Sequence, residues 1–321
     1  MEHTLTHDTV ELSINSADSA FIEANTIKST LEEIQSDHII PVFIKDNEPL
    51  ISQADFIQVT REIISDVYQG EIILTPNIRL SHPIKGRIPE AKNKPAADLE
   101  DHEKTLYYER MAFVIEVSSI HDEIAGSKLS LIIGGVKALN SDNLYSKKGA
   151  DEHFKVFVGF QNKVCTNLCV GTDGYMKDIK VTTIGQLKAC VRTLIENYNA
   201  NYHIETMRRL CDFHLTEQQF ATLIGRCRMY PYLPKRLQND IPALHLGDSQ
   251  INTVVKDFYR DHSFSRDKDG NINLWKLYNL FTGANKSTYI DNFIDRSVNA
   301  FSFTEQLRYA LANEADCWFL N

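Results

Sequence analysis

Between Glu71 and Val181 the chain carries seven short runs of strand character, separated by turn-rich breaks rather than by helical repeats. The runs are Glu71–Thr75, Asn77–Ser81, Tyr107–Val117, Lys128–Leu139, His153–Phe160, Val164–Leu168 and Met176–Val181. Breaks such as Ile120–Gly126, Asn140–Gly149 and Gly171–Gly174 are too short to hold crossover helices. Strands joined in this way pair mainly with antiparallel neighbours. The chain therefore reads as α+β, a mainly antiparallel central sheet flanked by helices, and not as a βαβ alternation.

Helical periodicity lies on both sides of this sheet-rich middle. From Ala20, Phe21, Ile27, Leu31 and Ile34 fall near one helical face, and a strand Ile39–Ile44 is expected to follow. Ser52 with Asp55 three residues on reads as an N-cap, opening a helix through Phe56, Val59, Ile63, Ile64 and Val67 that ends near Gly70. After Thr183 the C-terminal half becomes helical. Ile184, Leu187, Val191, Leu194, Ile195 and Tyr198 recur at helical spacing, and Thr216-x-x-Gln219 is a capping box ahead of Phe220 and Ile224. Further helices fit Gln250–His262, Leu274–Phe281 and Tyr289–Ala312. Three regions follow: a flexible lead over 1–20, a sheet-rich region over 21–182, and a helical region over 183–321 packed on the sheet as part of one globular unit. Within the second region, 89–104 holds eight charges and no aromatic residue, and is expected to be an exposed loop.

No apolar run approaches the roughly 20 residues that a bilayer span needs, so no membrane partner is expected. The first residues are polar and acidic, unlike a signal peptide, and a cytoplasmic location is expected. The six cysteines lack short-range pairing, which argues against a disulfide scaffold. Cys165-x3-Cys169 and Cys211-x2-His214, the second placed on a helix, do not have zinc-site spacing, and no metal or cofactor is assigned.

Other partial motifs lack what their chemistry requires. Asp267 to Asn273 resembles a calcium loop, but alignment on Gly270 puts Ser265 and Lys276 where the two strongest anionic ligands belong. Gly283 to Thr288 lacks the glycine before Lys286 and the preceding strand of a phosphate loop, although Lys286 and the helix start beyond it could still hold an anion. Asp173, Asp178 and Lys180 would suit a magnesium-dependent nuclease if folding brought them together.

Charge gives the strongest functional signal. The net charge is −9, yet residues 1–110 carry 20 acids and 10 bases while 111–321 carry 23 acids and 24 bases. The whole acidic excess sits in the N-terminal third, leaving the remainder open to a polyanion. Arg208, Arg209, Arg226, Arg228, Lys235 and Arg236 lie among Phe213, Phe220, Tyr230 and Tyr232. Arginine holds phosphate bidentately and aromatic faces stack bases, so this segment suits single-stranded nucleic acid. Lys137, Lys147 and Lys148 extend such a surface if the fold brings them near. The bland alternative is a solvated helix face with its aromatics in the core.

Thr105-Leu-Tyr-Tyr-Glu-Arg-Met111, Ile132-Ile-Gly-Gly-Val136, Phe160-Gln-Asn-Lys-Val-Cys-Thr-Asn-Leu168 and Leu274-Trp-Lys-Leu-Tyr-Asn-Leu-Phe-Thr-Gly283 are specific enough to carry a likeness. Over about residues 75–320 the chain resembles an uncharacterised bacterial family carried on conjugative transposons and related mobile elements. More distantly it is similar to phage/plasmid-like proteins of unknown function. The resemblance implies a mobile-DNA setting and no activity, and it singles out Cys165, Asn167, Trp275, Asn279 and Thr282. Each also has a structural role open to it: a turn for Asn167, the core for Trp275, a helix end for Asn279 and Thr282. After Thr282 the chain departs from the distant proteins, where an acidic, histidine-bearing continuation is expected. The expectation is a mobile-element accessory protein binding DNA without catalysis. The alternatives are a protein-interaction or host-defence-countering module whose acidic third docks a basic partner, and a metal-dependent nuclease.

Overall fold

The computed structural model describes residues 20–37, 51–81, 83–87, 89–91, 93–142 and 151–321. The strand expected at Ile39–Ile44, residues 1–19 of the lead, and Lys147 and Lys148 lie outside them. The chain opens with β1 (Thr26–Ser29), α1 (Leu31–Asp37), α2 (Gln53–Val67), β2 (Asn77–Ser81), β3 (Pro83–Arg87) and β4 (Lys104–Tyr108). The long strands follow: β5 (Arg110–Ile124), β6 (Ser127–Ala138), then the single turn α3 (Leu139–Asp142), β7 (Glu152–Asn162), β8 (Leu168–Cys169) and β9 (Tyr175–Val181). The helical half comprises α4 (Ile184–Asn197), α5 (Ala200–Arg209), α6 (Glu217–Met229), α7 (Lys235–Asn239), α8 (Asp248–Arg260), α9 (Leu274–Asn285) and α10 (Ile290–Ala312). Two short strands, β10 (His214–Leu215) and β11 (Ile272–Asn273), pair within it.

The main sheet runs β1-β2-β5-β6-β7-β8, with β9 also on β7. Every pairing in it is antiparallel, as the short connections require. Alternation along β5 sends Met111, Phe113, Ile115 and Val117 to one face, and Ala112 and Val114 to the other. Both faces are covered. Helices α2 and α4 pack on the first, and Phe56 of α2 makes edge contacts with Phe113 and Phe154. The start of α10 closes the second, with Ile290, Phe293 and Ile294 among Phe21, Ile132 and Phe157. A Cβ on Gly135 would fall 2.3 Å from the Phe56 ring, so only glycine lets α2 approach β6 this closely.

Burial on both faces gives the middle strands nearly continuous apolar sequence. The remaining helices extend the first cluster into an aromatic core holding Trp275, Tyr278, Phe281 and the stacked pair Phe220–Phe258, whose centroids are 3.9 Å apart.

Several local expectations are corrected. The helical pattern from Ala20 is broken by β1, because Ile27 sits in an edge strand opposite Leu80. Glu71–Thr75 makes only a single bridge, Ile73 with Val117, in place of a strand. Val164–Leu168 is a turn: Thr166 takes a φ of +58°, and pairing resumes only at Leu168. Strand β5 runs on past Ile120 to Ile124, with a register shift between Val117 and His121. Residues 89–104 contain three single-turn 3-10 segments, and within them Glu103 is buried and accepts a 2.6 Å hydrogen bond from Lys94. His214 lies on β10 rather than on a helix. No described helix is long and apolar enough to cross a membrane.

Candidate functional site

The motif positions converge, but in the interior. Asn279 projects from α9, and its side-chain oxygen accepts from Asn162 Nδ2 at 3.1 Å. Its main-chain oxygen accepts from Asn167 Nδ2 at 2.9 Å, and its own amide donates to the Trp275 carbonyl. Thr282 donates back to the Tyr278 carbonyl. These bonds tie the Asn162–Leu168 turn to α9 and fix structure rather than present a surface, while the Asn167 side-chain oxygen has no hydrogen-bond partner among the described residues. Burial pushes the Cys165 thiol up to about 11, which keeps it protonated and unreactive at neutral pH. Trp275 fills the core.

Lys286 belongs to the same knot. It is 7% exposed, and its ammonium donates to the Cys165 carbonyl and to Thr166 Oγ1. The anion-holding role considered for Lys286 is therefore overturned, because its donors face inward to protein oxygens. In the calcium-like loop, Asp267 pairs with Lys276 at 2.7 Å and Asp269 accepts from Asn271, so the turn is closed by its own side chains.

Several of the basic side chains are already engaged by the protein itself. Arg208 is paired with Glu205 and with Asp122, the latter at 2.9 Å. Arg228 is paired with Asp248 at 3.0 Å. Arg226 donates to the Asn321 main-chain oxygen at 2.7 Å and lies over the Trp318 ring. Lys137 is a correction: it is buried, not on the surface, where it pairs with Glu152 and sits 4.2 Å from the centre of the Phe154 ring. What remains outward is the segment joining α6 to α7. Tyr232 there is 88% exposed, Lys235 donates to Gln238 three residues on, and Arg236 is exposed. Arg209 on α5 is exposed as well.

Asp173 and Asp178 line different clefts and so do not form one metal site. Asp178 pairs with Lys180 and with His153 Nδ1, and these contacts hold its carboxyl below the usual range. Asp173 instead stands at the mouth of a cavity of about 220 Å³ shared by the Gly171–Gly174 turn, α5 and α10. His203 forms its inner wall. Its ring is 1% exposed, Nδ1 lies 2.6 Å from the Tyr198 hydroxyl, and Nε2 has no hydrogen-bond partner among the described residues. Burial lowers its pKa to about 3, so the ring is neutral.

This cavity is what sequence reasoning missed. Helix α5 carries His203, yet its ten residues have low mean apolarity and no capping box to announce them. Asp173, His203 and Phe301 are far apart in the chain, and only the Gly-Thr-Asp-Gly turn signalled anything there. A family model described as "Domain of unknown function, B. Theta Gene description (DUF3871)" matches residues 7–320. No curated protein and no solved structure matches the chain.

Proposed function

Because the chain belongs to the DUF3871 family of unknown function, we propose its role from its own surface: binding of single-stranded nucleic acid through the α6–α7 segment, without catalysis, in the service of a mobile element. One observation carries this reading. Residues 218–239 hold four basic side chains and no acidic one, and the most exposed aromatic side chain among the described residues, Tyr232, stands among them. An exposed ring stacks a base of any identity, and Lys235 and Arg236, with no ion pair among the described residues, release counterions from phosphate. The motif likeness to proteins of conjugative transposons supports the mobile-DNA setting.

Fluorescent single- and double-stranded oligonucleotides titrated at two salt concentrations test the proposal. Single strands bind at low salt and weaken as salt rises. Tyr232→Ala costs about 1–3 kcal/mol, the usual worth of one stacked base. Charge reversal at Lys235 and Arg236 lowers the salt slope by roughly one for each phosphate no longer neutralised. Absence of binding at low salt, or binding indifferent to these substitutions, rejects the reading. Met229 and Leu237, exposed beside the same segment, favour a second reading in which it docks a protein. Salt-insensitive association with a protein and none with nucleic acid would select it.

A further inference from the structure

The two tryptophans of the chain differ in their surroundings. Trp275 is buried in the core, whereas Trp318, beyond the end of α10, is half-exposed. An indole is a large apolar surface, and Trp318 keeps part of its own in water. What it stands beside is the basic segment. Trp318 meets Phe319 edge to face with centroids 5.0 Å apart, and Phe319 meets Tyr230 at 5.8 Å. Tyr230 opens the 3-10 turn Tyr230–Tyr232 that carries the exposed Tyr232. The Tyr230 amide donates to the carbonyl of Arg226, one turn back in α6. Arg226 is half-exposed too, and its guanidinium carbon lies 4.8 Å from the centre of the Trp318 ring. A row of rings thus leads from the exposed turn through Tyr230 and Phe319 to Trp318 and the cation upon it.

Both members of that pair are held in place. Phe319, fully buried, anchors the indole, and Arg226 Nη2 donates to the Asn321 main-chain oxygen at 2.7 Å. A guanidinium engaged in this way has less to give a phosphate. What it offers is a flat cationic plane resting on an indole, the ring that holds a cation best. Arginine planes stack on bases as aromatic rings do. The basic helix is fastened to the same turn: Gln238 Nε2 donates to the carbonyls of Tyr230 and Leu233, each at 3.0 Å, which fixes α7 with Lys235 and Arg236 against it. Ring, plane and phosphate-binding cations therefore belong to one small, braced region.

We infer that Trp318 and Arg226 form a second base-stacking platform beside Tyr232, so that the occupant is a strand of two or more nucleotides and not a mononucleotide; this rests on the nucleic-acid reading of the same segment.

Titration of the full chain at low salt with an oligothymidylate of about ten nucleotides, within the usual span of a single-strand site, tests it by tryptophan emission and by anisotropy of the labelled oligomer. The oligomer quenches the emission of Trp318. Buried Trp275 does not respond, so Trp318→Leu abolishes the quenching. Trp318→Leu also lowers affinity about tenfold, within the usual worth of one stacked base. Arg226→Lys keeps the charge and loses the plane, and it weakens binding several-fold with the salt slope unchanged. Thymidine monophosphate neither quenches nor competes at the same concentration. Quenching is read on the parent protein, and so stands apart from how well Trp318→Leu folds. Oligomer binding that Tyr232→Ala weakens, with Trp318 emission unmoved and Trp318→Leu without effect, overturns the second platform and leaves the nucleic-acid reading in place. No binding at low salt overturns both. Quenching and competition by thymidine monophosphate equal to the oligomer's overturn the requirement for a strand.

Discussion

His203 shows how one side chain can carry pH dependence for the whole fold. Its ring packs edge-on against Phe160 and Phe301 and is shut away from water, which lowers its pKa from 6.5 to about 3. Between those values the unfolded chain binds a proton that the folded chain refuses. Stability is therefore full above about pH 6.5 and is lost as pH falls toward 3, at up to about 1.4 kcal/mol per unit. Urea unfolding across that window shows this slope in the parent protein and a shallower one in His203→Gln. Lys137 and Glu152 pose a different residue-scale problem. They face one another across β6 and β7, and Glu152 also accepts the Ile51 amide at 2.9 Å. A lysine that follows the apolar run Leu131–Val136 reads from sequence as a solvent-facing residue; its partner, fifteen positions away, becomes visible only once the register of the two strands is known.

Elements announced by local chemistry were legible, and those defined by distant partners were not. Ser52, Thr183 and Thr216 each close a capping box at the start of α2, α4 and α6, where hydroxyl and N3 side chain satisfy each other's backbone amides. Those signals are complete within four residues. Thr183→Ala removes one such bond and lowers stability by about 1 kcal/mol, read as a shift of the thermal midpoint without change in helix content. By contrast, β1 exists because Thr26–Ser29 finds β2, and nothing inside four residues records that pairing. The Val164–Leu168 run looks extended by composition, yet Lys286 and Asn279, more than a hundred residues away, hold it in a turn with Thr166 at positive φ. The pairing of two of the basic residues was hidden for a similar reason. Asp122 and Asp248 reach Arg208 and Arg228 only through tertiary structure.

At the scale of the whole molecule, the class was readable and the layering was not. Antiparallel pairing followed from short breaks, whereas the closure of the second sheet face by α10 depends on the final helix of the chain. One hydrophobic cluster runs from Ile34 and Phe56 through the sheet to Phe303 and Phe319. Sharing a core, the sheet and the helical half unfold together: far-ultraviolet dichroism and the emission of Trp275 and Trp318 trace one coincident denaturant transition. Two separated midpoints would show that the helical half melts on its own.

The knot around Lys286 has a consequence for biosynthesis. The main-chain oxygen of Lys286 accepts the amides of Glu23 and Ala24, at 2.9 and 3.2 Å, while Thr166 donates to the carbonyl of Ala20. A nascent chain still on the ribosome has no anchor for Glu23 and Ala24 until residue 286 has cleared the exit tunnel. The short stretch ahead of β1 is thus among the last parts of the polypeptide to be fastened down.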